Sequence, residues 1–313
     1  MTATAERDGP RSGSLPPAQA AALAYVRSSA VAERPAALAT IARHLAAAAV
    51  DEPAQRLLAA VERGRITVNF HPDRLCADGR AVATALAEDG VYRSQFVTGI
   101  SAGGLTAYPG GDRDRWERRM FGGAYQQTGV TPADRPIYGG LNLLDHADGA
   151  CPRFGSCHLR LRPAVLARAT FCLGDSYLGP GVVGTADAFE AVLAGLLAEV
   201  ARTGVCLGRA ETDVASLTRT LLDGPRAPGT VGRALDDYVE AQVHGTLDLA
   251  SDVEELVADP SFVGTATGEQ LECLAGRYGF PLRWHPGFVL ADTLQHLKQL
   301  WHVLVRFGVA HPG

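Results

Sequence analysis

Lysine is almost missing from this sequence: of 29 basic residues, only Lys298 is a lysine. Together with the abundance of alanine, this points to a GC-rich coding sequence, so a single arginine says less about function than usual. Positive charge is not in excess either. A formal net charge of −5 gives no support to a protein that tracks nucleic-acid phosphates, which would carry a basic surplus. Long apolar runs are absent, and no window approaches the ~20 apolar residues that a bilayer-spanning helix needs. The opening segment, Met1 to Arg11, has no apolar core of the kind a signal peptide uses. Closely spaced cysteines are missing too. Cys76, Cys151, Cys157, Cys172, Cys206 and Cys273 are scattered, and none form a Cys-x-x-Cys pair. That argues against a zinc ribbon or redox dithiol and for reduced thiols in a cytoplasmic protein. Neither a Gly-Lys-Ser/Thr phosphate loop nor His-Glu-x-x-His occurs, and there are no internal repeats.

What is present describes an ordinary soluble chain, 313 residues long, 47% hydrophobic and 20% charged, with room for a large core and one or two domains. Residues 1–15 are polar, rich in Gly, Ser and Pro, and read as a disordered tail. Residues 16–62 are alanine-rich with helical spacing, broken at Glu33–Pro35 and Asp51–Pro53, and predict a two- or three-helix prefix. Residues 63–290 mix strands and helices. Arg65 to Phe70 has the β-branched alternation of a strand, and 137–144, 156–161 and 170–173 read as further strands. Helices are expected over 80–88, 113–126, 187–203 and 211–223, and a final apolar helix within 291–313. Residues 234–243 fit either a helix or a strand. The fold class is α+β: a helical prefix, then a mixed, short-stranded sheet core with flanking helices.

Chemistry-bearing residues concentrate in three places. Where the first strand ends, His71, Asp73 and Arg74 are delivered together around Pro72. Twenty residues on, Arg93, Ser94, Gln95, Thr98 and Ser101 lie in a glycine-containing polar run with almost no helical periodicity, as in a loop where backbone approaches a ligand. Late in the chain, Glu240, Gln242 and His244 share one face if the segment is a strand, while Glu240 and His244 still share a face if it is a helix. Gly110-Gly-Asp-Arg-Asp-Arg-Trp116 reads as an ordinary capped helix start, with an anion site as the alternative. His158 and Asp175 are weaker candidates.

The motifs Asn69-Phe-His-Pro-Asp-Arg74, Tyr92-Arg-Ser-Gln-Phe96, Pro109 to Trp116, Tyr138-Gly-Gly-Leu-Asn-Leu143, Phe154-Gly-Ser-Cys-His-Leu159, Gly174-Asp-Ser176 and Asp236 to Gly245 together resemble a bacterial family known as domain of unknown function 3626, over roughly residues 60–290. A looser resemblance is to mono-ADP-ribosyltransferases. They share the order of an early strand ending in His or Arg, a hydroxyl-bearing element, and a late strand with a Glu-containing pair. That resemblance implies NAD as substrate. His71, Arg74 or Arg93 would grip its phosphates. Ser94, Thr98 and Ser101, or else Thr170 and Ser176, would shape the nicotinamide side, with Gln95 beside them. Glu240, with Gln242 and His244, would stabilise an oxocarbenium-like transition state. Here the glutamate stands first in the pair and glutamine second, the reverse of the superfamily's order. The reaction implied is cleavage of the nicotinamide–ribose bond by an ADP-ribosyltransferase or NAD glycohydrolase. Its partners would be NAD and an acceptor, protein or small molecule, with neither nucleic acid nor membrane involved. Two other readings stay open. One is a metal-dependent hydrolase built from His71, Asp73, His158, Asp175, Glu240 and His244. The other is a non-catalytic binding or effector module.

Overall fold

A computed structural model of the chain describes residues 15–100, 106–179, 181–210, 212–224, 233–235 and 237–287. The expected tail, Ser101 and the expected C-terminal helix lie outside these residues. The class is α+β, as the alternating periodicities imply.

The prefix holds two helices, α1 (Pro17–Ala47) and α2 (Ala54–Val61). Only the second expected break is real, with Pro53 capping α2. At the first, Pro35 sits inside α1, where it removes one helical N–H bond. Tertiary contacts outweigh that loss. Ala22 and Val26 pack with Phe121 and Tyr125, Ala37, Ile41 and Leu45 join the main core, and α1 lies along the later helix α6 and strand β6. Beside the proline, Arg34 pairs with Glu190 at 2.6 Å and donates to the Asp187 carbonyl at 2.9 Å.

The core follows as β1 (Arg65–Phe70), α3 (Val82–Asp89), β2 (Val91–Tyr92), α4 (Gln95–Thr98), α5 (Asp112–Met120), β3 (Ile137–Asn142), β4 (Cys157–Leu161), β5 (Ala169–Leu173), β6 (Val183–Thr185), α6 (Glu190–Thr203), α7 (Val214–Asp223), β7 (Val239–Val243), β8 (Leu247–Asp248), α8 (Leu249–Asp252), β9 (Val253–Ala258), α9 (Ala266–Tyr278) and β10 (Leu282–Trp284). The segment expected as one helix over 113–126 stops at Met120. Gly122 and Gly123 both take positive φ, and a short 3-10 turn, Ala124–Gln126, follows. No helix among the described residues is long and apolar enough to cross a membrane.

Eight strands form one sheet in the order β10-β9-β4-β1-β3-β7-β5-β6, antiparallel except for the β9/β10 pair. The register gives the sheet two unlike faces. Val68 faces Leu159, Ile66 faces Leu141 and Ala241 faces Phe171, a row of apolar side chains in the main core with α6, α7 and α9. On the opposite face Thr67 pairs with Gly140, Gly140 with Glu240, Glu240 with Cys172, and Gln242 with both Tyr138 and Thr170. This second face is polar, and it is where the chemistry collects.

Gly155 packs so tightly on β1 that a Cβ there would lie 2.1 Å from the Phe70 carbonyl carbon. Gly155→Ala is therefore expected to lower unfolding free energy by about 3 kcal/mol, an overpacking cost, read as a shift of the urea midpoint at unchanged slope.

Candidate functional site

Strand β7 settles the ambiguity of residues 239–243: it alternates. Val239, Ala241 and Val243 turn into the apolar core, which leaves Glu240, Gln242 and His244 on the polar face. The Glu240 carboxylate accepts from the Gln242 amide at 2.7 Å and from the Ser176 backbone N–H at 3.3 Å. Burial pushes its carboxyl up to about 7, with the charge of Asp175 adding to the effect and the Ser176 and Gln242 hydrogen bonds opposing it. Gly140 makes room beside it, since a Cβ there would meet the Cys151 sulfur at 2.4 Å.

Helix α5 roofs this face, and one buried cation anchors it. Arg135 pairs with Asp114 at 2.6 Å and with Glu117 at 2.8 Å, and its guanidinium lies 4.3 Å from the Phe96 ring centre. Tyr138 donates to the other Glu117 oxygen at 2.9 Å. Burial pushes the Glu117 carboxyl up, and Arg135 and Tyr138 pull against it. Arg113, one turn from Glu117, is different. Its guanidinium lies 4.7 Å from the Trp116 ring centre and 4.4 Å from that of Tyr138. Among the described residues it makes no ion pair, though its charge reaches Glu117, and its Nε is buried without a hydrogen bond. A guanidinium stacked on two rings is held in place, and Arg113 lines the cavity over this face.

These walls enclose a cavity of about 880 Å³. Of the residues singled out in the sequence, His71, Arg74, Arg93, Ser94, Gln95, Thr98 and Glu240 line it. Gln242 and His244 do not, although both sit on the same strand face. Arg93 is engaged by Asp89 at 3.0 Å. Ser94 is buried and donates to the Pro132 carbonyl at 2.7 Å, pinning α4. Thr98 donates back to the Ser94 carbonyl at 3.3 Å, whereas the Gln95 side-chain oxygen is buried with no hydrogen-bond partner among the described residues. The polar run expected as loop thus contains the single turn α4.

Asp175 lies on the cavity rim, accepting from the Tyr177 N–H at 2.9 Å. His158 is buried on β4 outside the cavity, and burial with the nearby His285 keeps it well below the usual imidazole range. Among the described residues, no group of three or more His, Cys, Asp or Glu side chains is placed to hold a metal ion. The six cysteines are all free thiols, and burial pushes Cys151, which lines the cavity, well up.

Sequence reading did not single out Tyr138 or Arg153, and took the segment Gly110 to Trp116, which holds Arg113 and Trp116, as a capped helix start with an anion site as the alternative; all four residues line the cavity. A signal existed for the first two: three residues apart, Arg113 and Trp116 share a helix face. A search for characterised families finds a model described as "Protein of unknown function (DUF3626)", matching residues 65–293. The chain belongs to this family. The match begins at β1 and spans the sheet and every cavity residue named above, leaving α1 and α2 before it. No curated protein matches the chain.

Two outcomes follow from the buried charges. Arg135→Ala leaves Asp114 and Glu117 buried without their cation and is expected to cost about 3–5 kcal/mol. The cost should ease as pH falls and Glu117 takes a proton, which denaturant unfolding at several pH values will read. For Glu240, a native pKa near 7 lies above the ordinary value of 4.5, so the native state holds an extra proton between them. The resulting stability is complete below the lower value and lost as pH rises through the upper one, a loss on the order of 3 kcal/mol. Glu240→Gln removes that loss, and the variant should melt above the wild type at alkaline pH and close to it at acid pH.

Proposed function

We propose that this protein cleaves the nicotinamide–ribose bond of NAD, as a mono-ADP-ribosyltransferase or NAD glycohydrolase. The observation that carries the reading is the pairing, in one cavity, of a single buried carboxyl at Glu240 with a ring-stacked guanidinium at Arg113 that makes no ion pair among the described residues. A volume of about 880 Å³ falls in the upper part of the usual range for ligand sites, roughly 300–1,000 Å³, and suits a dinucleotide. Trp116, Tyr138, Phe154 and Tyr177 offer ring faces and edges to a flat base.

In this reaction the C–N bond to nicotinamide breaks and its electron pair leaves with the ring as neutral nicotinamide. No general acid is required. Positive charge builds on the ribose, and the ionised Glu240 carboxylate stabilises it in a site where water is scarce. The acceptor, water or a nucleophilic group, then bonds to the ribose carbon and gives up its proton, which Glu240 is able to take near neutral pH. Arg113 holds the pyrophosphate, with Arg74 and Gln95 lining the same cavity. Gln242 and His244 act from behind the carboxylate.

The test is nicotinamide release from NAD, followed by chromatography with and without cell lysate as acceptor. Glu240→Gln should lower kcat by about 100-fold or more with NAD affinity kept. Arg113→Ala should raise KM by about tenfold or more, as expected for losing a charge-assisted contact. Wild-type protein that releases no nicotinamide overturns the proposal, and tight NAD binding without release would point to the binding-module reading.

A further inference from the structure

Behind Glu240, hydrogen bonds continue away from the cavity in a single buried line. Gln242 Oε1 lies 2.8 Å from Thr170 Oγ1, Thr170 Oγ1 lies 3.1 Å from His244 Nε2, and His244 Nδ1 lies 2.5 Å from the Tyr125 hydroxyl. The line crosses from β7 to β5, back to the residue that follows β7, and ends in the 3-10 turn after α5. Tyr125, Thr170, Gln242 and His244 are all buried, and none lines the cavity.

The chemistry of each link fixes the direction of the whole. An ionised carboxylate only accepts, so Gln242 turns its NH2 toward Glu240 and its oxygen toward Thr170. The Thr170 hydroxyl therefore donates to Gln242 and must accept from His244 Nε2–H. Burial and the charge of Arg168 hold the His244 imidazole down to about 3, so it is neutral and carries one ring proton. With that proton on Nε2, Nδ1 accepts and Tyr125 donates. Burial keeps the Tyr125 phenol protonated. Every proton in the line points at Glu240. A protonated Glu240 is a weaker acceptor for the Gln242 NH2, and it donates to Gln242 only if the amide turns over, with Thr170 and His244 reversing too.

We infer that Thr170, His244 and Tyr125 are positioning residues that, through the Gln242 amide, orient the Glu240 carboxylate and favour its ionised form. The effect on turnover rests on the proposed NAD chemistry, but the effect on the carboxyl does not. Several titratable groups surround Glu240 in addition: Asp175 after β5, Cys172 on β5, Cys151 before β4, Tyr138 on β3 and Tyr238 before β7, with Arg113 and Arg153 in the same cavity. None of them is itself replaced when Thr170 or Tyr125 is changed, and of these only Cys172 touches the line, through Gln242.

The experiment is a pH titration of the Glu240 carboxyl carbon by NMR in protein labelled at glutamate, the signal assigned by its loss in Glu240→Gln. Thr170→Val keeps the shape, removes the hydroxyl, and frees the amide to turn. Its Glu240 midpoint should move up by about one pH unit relative to wild type. Tyr125→Phe should move it the same way by less, and Thr170→Ser should return it toward the wild-type value. Nicotinamide release is measured alongside: kcat should fall with KM unchanged, and the acid limb of its pH profile should follow the NMR midpoint. Midpoints that agree among wild type, Thr170→Val and Tyr125→Phe, in variants whose circular dichroism matches wild type, overturn the inference. A shifted midpoint without turnover in any variant upholds the line and counts against the NAD reading alone.

Discussion

A carboxylate buried on a central strand is the constraint to which the rest of this structure answers. Glu240 is flanked by strands on both sides and by core beneath, where an uncompensated charge would be very costly. Each neighbour meets part of that demand. β3 contributes Gly140, which leaves space, the turn after β5 contributes a backbone N–H, and β7 contributes its own Gln242. The compensation is incomplete, and the carboxyl stays close to neutral-pH titration. A group intended only for packing would be better satisfied or apolar. One poised near neutrality in a cavity is the kind of residue that carries chemistry.

The two arginines over the site divide the work. Arg135 is surrounded by acids and fastens α5 to the sheet through Asp114 and Glu117, which sets the height of the roof. Arg113, on the same helix, is held by rings rather than by charges, so its positive charge remains for a ligand. Fixing one cation with carboxylates and the other with aromatics lets a short helix be both anchor and binding wall. α1 contributes from outside the family match: its first half covers Tyr125 and Phe121, the far end of the line that reaches Glu240.

Much of this was readable from the chain. The alternation of Arg65 to Phe70 located β1, and the motif at its end delivers His71 and Arg74 to the cavity. Glu240 was identifiable because an acid among apolar residues stands out in either periodicity. Three things were hidden. β9, with Glu254 and Glu255 adjacent, does not look like a strand until Arg65, Arg160 and Arg283 are seen to pair with them across the sheet. Pro35 looked like a break because the contacts that carry α1 past it come from far along the chain, Asp187 lying 153 positions from Arg34. The partners of Glu240, Gln242 and His244 are Ser176, Thr170 and Tyr125, side chains and turns brought together only by the fold. Local pattern reveals faces, while the pairing of a polar face is a long-range property.

The most direct measurement is the pH dependence of kcat/KM for nicotinamide release from NAD. A catalytic Glu240 that must be ionised predicts a rate that climbs about tenfold per unit on the acid side and levels off above about pH 7. A profile that is flat across that range, or that falls as pH rises, would contradict the account.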